Sequence, residues 1–268
     1  MLASNARIWF DGTMKIHSLF VRNTLENIVF MMLDEATGTA VCVDPTDADL
    51  VNEWLKKHGH RCSHVFNTHE HYDHTAGNSE VVKSSGAKLW AVEGVSGADH
   101  RLQTGDQINL GDSVIHFHYT PGHTMKHFCA VVETKGRPLQ LFSGDTLFNA
   151  GVGRCGNGGD VDTMFDTFER FFKNLDDSVE VYPAHDYIEN NLNFAKSVDP
   201  TNKHIDEMLD RVQPIKGTDQ FLVTTMKEER QINPFLRLDD PALRKSLQLE
   251  GAPRIDVFRH LRKKRDNW

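Results

Sequence analysis

A chain of 268 residues with 38 acidic and 30 basic side chains carries a net charge of −8, which argues against a general nucleic-acid binder. Its 39% apolar content is enough for a sizeable core, and no run of about 18 apolar residues offers a membrane helix. The opening, MLASNARIWFDGTMK, has neither the apolar stretch of a secretory leader nor the arginine richness of a transit peptide, so a cytoplasmic protein is expected.

In chain order, AVCVD (40–44) reads as a buried strand, followed by a helix ADLVNEWLKKHG stopped at Gly59, with Thr46 and Asp49 supplying capping-box chemistry. HVFNT (64–68) is the next strand and runs straight into a cluster of histidines. A helix near 78–85 follows, then strands at KLWAV, SVIHFHY, HFCAVVE and LQLFS, a helix from Asp160 to about Leu175, and a last strand at VEVYP. This order fits a sheet-based core with helices outside. Beyond about residue 186 the strand signals stop, and helices are expected around 189–198, 201–213, 240–249 and 254–265. Two domains are therefore expected, 1–186 and 187–268.

The four cysteines form no disulfide framework or redox pair. Cys42 and Cys129 lie in apolar runs and should be buried, whereas Cys62 and Cys155 have polar neighbours and are expected at the surface.

The segment Thr68-His69-Glu70-His71-Tyr72-Asp73-His74 places three imidazoles and two carboxylates directly after an apolar strand. In extended chain, residues two apart point the same way, so His69 and His71 can grip one ion together. His123, Asp145 and His185 each follow a later strand, where functional residues concentrate. With His69, His71, Asp73 and His74 they make five histidines and two aspartates, more than the roughly three protein ligands of one catalytic zinc. Seven ligands suit two ions about 3.5–4 Å apart with an aspartate shared between them. Neutral imidazole and carboxylate accept zinc, and also iron or manganese. Near the C-terminus, Arg262 and Arg265 stand three apart in a helical pattern and so share a face able to meet one anion.

The run Thr-His-Glu-His-Tyr-Asp-His, with Pro-Gly-His-Thr, Gly-Asp-Thr-Leu-Phe and Ala-His-Asp-Tyr, resembles the metallo-β-lactamase superfamily. The Ile-Asn-Pro-Phe-Leu-Arg of 232–237 and the closing Leu-Arg-Lys-Lys-Arg-Asp-Asn-Trp make it most similar to the glyoxalase II, or hydroxyacylglutathione hydrolase, family. The resemblance implies an α+β fold, an αββα sandwich with a smaller helical C-terminal domain. It implies one metal on His69, His71 and His123, another on Asp73, His74 and His185, and Asp145 bridging, with Asp73 and Asp145 also serving catalysis. Arg154, Tyr187, Arg262 and Arg265 would contact glutathione, and Asp44 would orient the ligand loop from behind. The expected reaction is hydrolysis of S-D-lactoylglutathione to glutathione and D-lactate, in methylglyoxal detoxification. Hydroxide from bound water at neutral pH would attack the thioester carbonyl. The expected partner is a small glutathione thioester, with no nucleic acid, no membrane and a monomeric chain. The loop Gly151-Val152-Gly153-Arg154-Cys155-Gly156-Asn157-Gly158-Gly159 departs from the family pattern, since the aromatic that helps hold glutathione is gone. A thioesterase for another thiol carrier, a persulfide dioxygenase, a lactonase and a non-catalytic metal-binding protein are the competing readings.

Overall fold

The computed structural model describes residues 14–268, and the segment read above for leader patterns lies mostly outside them. These residues form two compact units. The first takes the described chain up to Tyr119, Lys126–Gly144 and Ala184–Asp186; the second takes Thr120–Met125, Asp145–Pro183 and Tyr187–Trp268.

In the first unit, β1 (Met14–Phe20), β2 (Ile28–Asp34), β3 (Thr39–Val43), β4 (Arg61–Phe66), β5 (Lys88–Ala91) and β6 (His100–Arg101) form one sheet in sequence order. The first pairings are antiparallel, and β3 through β6 run parallel. Parallel neighbours need crossovers. The first is α1 (Ala48–His58), and the next carries α2 (Tyr72–Thr75) and α3 (Asn78–Ser85). The cap of α1 differs from the expected pair, because Asp47 alone accepts from the Leu50 N–H, in extended conformation. Gly59 ends that helix in the left-handed region as expected, with φ of 69°.

A second sheet holds β7 (Gln107–Leu110), β8 (Ser113–Tyr119), β9 (Phe128–Thr134) and β10 (Arg137–Gly144), all antiparallel. The two sheets meet through edge-to-face rings, Phe30 against Phe142 at 5.5 Å and Phe66 against Phe117 at 5.0 Å. Such pairs add to the burial of large apolar faces. Strand β2 is buried at every residue, whereas β8 alternates buried and partly buried positions. His116 and His118 occupy the partly buried positions of β8.

In the second unit, β11 (Leu147–Phe148) and β12 (Gly151–Val152) make a hairpin, and α4 (Val161–Arg170) starts at an Asp160 cap. Strand β13 (Glu180–Pro183) pairs with β14 (Thr224–Thr225), so one short strand does occur where strand signals were expected to have ended. The helices α5 (Ile188–Val198), α6 (Lys203–Val212) and α7 (Met226–Ile232) share an apolar core with Ile188, Leu192, Ile205, Met208 and Ile232. After α8 (Pro241–Leu247), α9 (Arg254–Asp266) packs Phe258 against Phe168 of α4 and against Phe235.

All four cysteines are free and buried. Cys62 alternates inward on β4 beside exposed Arg61, and Cys155, within the glycine loop, is buried with its thiol near the sulfur of Met164 at 3.8 Å. The expectation that these two would be exposed failed because their polar neighbours face outward while the thiols face in. Burial pushes both thiols up to about 12, which disfavours the thiolate that a nucleophilic cysteine needs.

Candidate metal centre

The histidine cluster follows β4 and is held from below by Asp44. This buried aspartate ends β3 in the left-handed region with φ of 48°, a conformation aspartate tolerates better than most residues. Its carboxylate accepts from the Thr68 N–H at 2.8 Å, from the Thr68 hydroxyl at 2.7 Å and from His74 Nδ1 at 3.1 Å. Asn67 donates to the carbonyl of His74 at 2.8 Å and pairs with Asn78, which fixes the far side of the loop. Gly77 allows the chain to pass this turn, since a Cβ there would lie 2.5 Å from the Pro45 carbonyl oxygen.

These contacts fix which imidazole nitrogen is presented. Asp44 takes the Nδ1 proton of His74, and the Leu25 carbonyl takes that of His185 at 2.6 Å. The Thr68 hydroxyl, already donating to Asp44, accepts from His69 Nδ1 at 3.0 Å. In each ring the lone pair is therefore on Nε2, the arrangement in which the second nitrogen's partner orients a ligating histidine.

The presented atoms converge. Asp73 Oδ2 lies 3.2 Å from His74 Nε2 and 3.5 Å from His185 Nε2, and the two nitrogens are 3.3 Å apart. Ligands about 2.0–2.1 Å from a tetrahedral ion stand about 3.3–3.4 Å from one another, so this triangle fits one ion. His69 Nε2 and His71 Nδ1 face each other at 3.1 Å, as their spacing required. Asp44, His69 and His74 also group closely, but the Asp44 oxygens are spent on the loop.

Several supporting residues were not read from the sequence. Asn27 donates to Asp73 Oδ2 at 3.1 Å, and its backbone bridges to His185. The ring of His127 lies 5.2 Å from that of His69, nearly parallel to it, and is fully buried. Asn27 precedes β2 with no motif around it. His127 stands four residues after His123, and that proximity was the only available signal.

In the second unit, His123 and Asp145 come together, with Nε2 3.4 Å from Oδ2. The Arg154 carbonyl accepts the Nδ1 proton of His123 at 2.6 Å, so this ring also presents Nε2. The glycines of the 151–159 loop make that approach possible. A Cβ on Gly153 would lie 1.8 Å from the Asp145 carbonyl oxygen, and one on Gly159 would lie 2.2 Å from that of Gly122.

The same unit holds a cavity of about 260 Å³ lined by Phe148, Arg154, Tyr187, Asn191, Arg262 and Arg265, among others. All four residues expected to contact a carrier are there, but they are differently employed. Arg262 is buried, donates through Nη1 to the Val152 and Gly153 carbonyls at 2.9 and 3.0 Å, and pairs through Nη2 with Asp266 at 3.1 Å. Arg265 is half-buried over the Phe194 ring and donates to Asn191. Burial holds both guanidinium groups below their ordinary pKa, without threatening a charge that is always present near neutrality. Arg154 is largely exposed, and the Tyr187 ring meets that of Phe148 edge-on at 5.3 Å.

The fold and its imidazole–carboxylate clusters define a protein of the metallo-β-lactamase type, with a site suited to a dinuclear metal centre. The model of the metallo-beta-lactamase superfamily matches residues 35–185, and that of the hydroxyacylglutathione hydrolase C-terminus matches residues 186–268. A hydroxyacylglutathione hydrolase from Polaromonas sp. is 38% identical over 95% of this chain and 100% of its own length. One from Nitrosococcus oceani is 37% identical with the same coverage. Among solved structures, ETHE1 from Myxococcus xanthus superposes with a TM-score of 0.67 at 25% identity, over 94% of this chain and 91% of that one. The chain belongs to the hydroxyacylglutathione hydrolase, or glyoxalase II, family. No helix of the described residues is long and apolar enough to cross a membrane.

Proposed function

We propose that this protein hydrolyses S-2-hydroxyacylglutathione thioesters, S-D-lactoylglutathione first among them, to glutathione and the free hydroxy acid. The observation that carries the reading is the arginine-lined cavity, whose Tyr187, Asn191, Arg262 and Arg265 lie in the region matched by the hydroxyacylglutathione hydrolase C-terminus. It accompanies imidazoles that already present their lone pairs.

The family pattern assigns His69, His71 and His123 to one ion, Asp73, His74 and His185 to the other, and Asp145 to both. Zinc, iron and manganese all accept such a donor set. When bound, two such ions supply Lewis acidity and a water acidified toward neutral pH. The chain's own part is to orient and to bind. Asp44, Leu25, Thr68 and the Arg154 carbonyl hold the Nδ1 protons, so no ligand has to change tautomer. Asn27 fixes the Asp73 carboxylate. A thiolate leaves readily because its conjugate acid has a pKa near 8.5 by analogy with cysteine, so no strong general acid is needed. Arg265 and Arg154 offer charge to the carrier's carboxylates, with Tyr187 closing one wall of the cavity. We place the reaction in the cytoplasm, where an Arabidopsis thaliana relative is named cytoplasmic.

The test is a comparison of substrates on the metal-loaded protein. S-D-lactoylglutathione should be cleaved with kcat/KM at least tenfold above that for the lactoyl thioester of a small uncharged thiol. Oxygen uptake with glutathione persulfide, and no thioester cleavage, would instead assign a persulfide dioxygenase.

A further inference from the structure

Two features have no part in the chemistry above: the Ile232-Asn233-Pro234-Phe235-Leu236-Arg237 motif, and Glu229 just before it. Glu229 is fully buried, yet among the described residues no cation meets it. Its Oε2 accepts from the Ala150 N–H at 2.9 Å and from Asn233 Nδ2 at 3.1 Å, and its Oε1 accepts from the Thr224 hydroxyl at 2.7 Å. Asn149 Nδ2 in turn donates to that hydroxyl at 2.7 Å. A buried carboxylate with only neutral donors is costly, so a set of partners this complete marks a position the fold holds firmly.

What it holds is the β11–β12 hairpin. Asn149 and Ala150 are the hairpin's turn, and Ala150 sits in the left-handed region with φ of 56°, where alanine is disfavoured. Asn233 ties down the two ends of that turn, donating to the Phe148 carbonyl at 3.3 Å and the Gly151 carbonyl at 3.0 Å. The hairpin supplies Phe148 and Val152 to the cavity wall, and the carbonyls of Val152 and Gly153 are those that grip Arg262. Phe235 of the motif lies under the same guanidinium, 5.9 Å from its ring centre.

We propose that Glu229 and Asn233 are positioning residues for carrier recognition, holding the Leu147–Val152 hairpin so that the cavity wall and Arg262 are set before the thioester binds. This rests on the reading of the cavity as the carrier's site. Preorganisation of that kind acts on binding, not on the reacting carbonyl.

The test uses the metal-loaded full chain and two substrates, S-D-lactoylglutathione and the lactoyl thioester of 2-mercaptoethanol. Glu229→Leu removes all three acceptor contacts. It should raise KM for the glutathione thioester about tenfold, with kcat changed less than threefold, and lower the ratio of kcat/KM on the two substrates about tenfold. Glu229→Gln can keep an oxygen toward Ala150 and Asn233 and turn its amide to the Thr224 oxygen, so it should keep that ratio within threefold of wild type. Asn233→Ala, which spares the carboxylate, should lower the ratio at least fivefold and decides the matter should the leucine variant not fold. An unchanged ratio in the folded variants, or parallel losses on both substrates, would overturn the proposal. Failure of the cavity reading shows itself separately, in a wild-type enzyme that prefers neither thioester, and removes the ground for both.

Discussion

Asp44→Asn isolates the orientation of one metal ligand from everything else in the loop. Asparagine tolerates the left-handed backbone of residue 44 at least as well as aspartate, so the strand end keeps its shape. The amide has one accepting oxygen where the carboxylate offered two to Thr68 and His74. Toward His74 Nδ1 it presents either an N–H, or an oxygen whose amide partner then faces the Thr68 N–H. Without metal the His74 ring escapes by carrying its proton on Nε2. With metal on Nε2 that escape is closed, and one buried donor is left facing another. An unsatisfied buried donor costs about 1–3 kcal/mol, equivalent to roughly 10–100-fold in metal affinity. This matches the loss usual for partners of ligating histidines. Competition against a chromophoric chelator measures the affinity, and thermal melting of the metal-free protein supplies the control, expected to change by less than about 1 kcal/mol. Metal affinity within threefold of wild type would refute the argument, as would an equal loss of stability in the metal-free protein.

Asp145→Ala should leave fewer than two ions per chain by elemental analysis and cost more activity than loss of any single histidine; two retained ions with near-normal turnover would remove Asp145 from the centre. Arg265→Ala should raise KM for S-D-lactoylglutathione about tenfold with little change in kcat, from one lost charge-assisted contact of about 1.5–3 kcal/mol, and raising the salt concentration should narrow the gap to wild type. Arg262→Ala should additionally lower the melting temperature, because the Val152 and Gly153 carbonyls lose their buried donor. Burial pushes the Glu229 carboxyl from its ordinary 4.5 up to about 7. The folded chain therefore keeps a proton that the unfolded chain has lost, and stability falls as pH rises across that window, by on the order of 3 kcal/mol. Melting temperatures of wild type and Glu229→Gln should diverge in favour of the variant between pH 5 and 8, and parallel curves would contradict this.

The proposed ligands could be picked out because their motifs stand where an apolar strand gives way to a polar loop: β4 before His69, β8 before His123, β10 before Asp145 and β13 before His185. Their supports were harder to see. Strand β2 is a continuous apolar run, which periodicity cannot tell from a buried helix. Asp47 competes as a cap with Thr46 and Asp49, and only the extended backbone at 47 decides between them. The two residues of β14 are too few to carry a pattern. Helical spacing correctly put Arg262 and Arg265 on neighbouring positions of α9. It could not show that the Arg262 Nη1 is taken up by the Val152 and Gly153 carbonyls, a contact spanning more than a hundred residues. The seven proposed ligands lie in short motifs, whereas most of the hydrogen bonds that aim them, Thr68 to His69 excepted, join residues far apart in the chain.

We propose that two metal ions on this ligand set make thioester hydrolysis possible. It is tested most directly by stripping the protein with chelator and titrating zinc, iron or manganese back while counting ions per chain and following S-D-lactoylglutathione hydrolysis. The stripped protein should show no hydrolysis, and activity should return as binding approaches two ions per chain. Hydrolysis that survives complete removal of metal, or none with two ions bound, would contradict it.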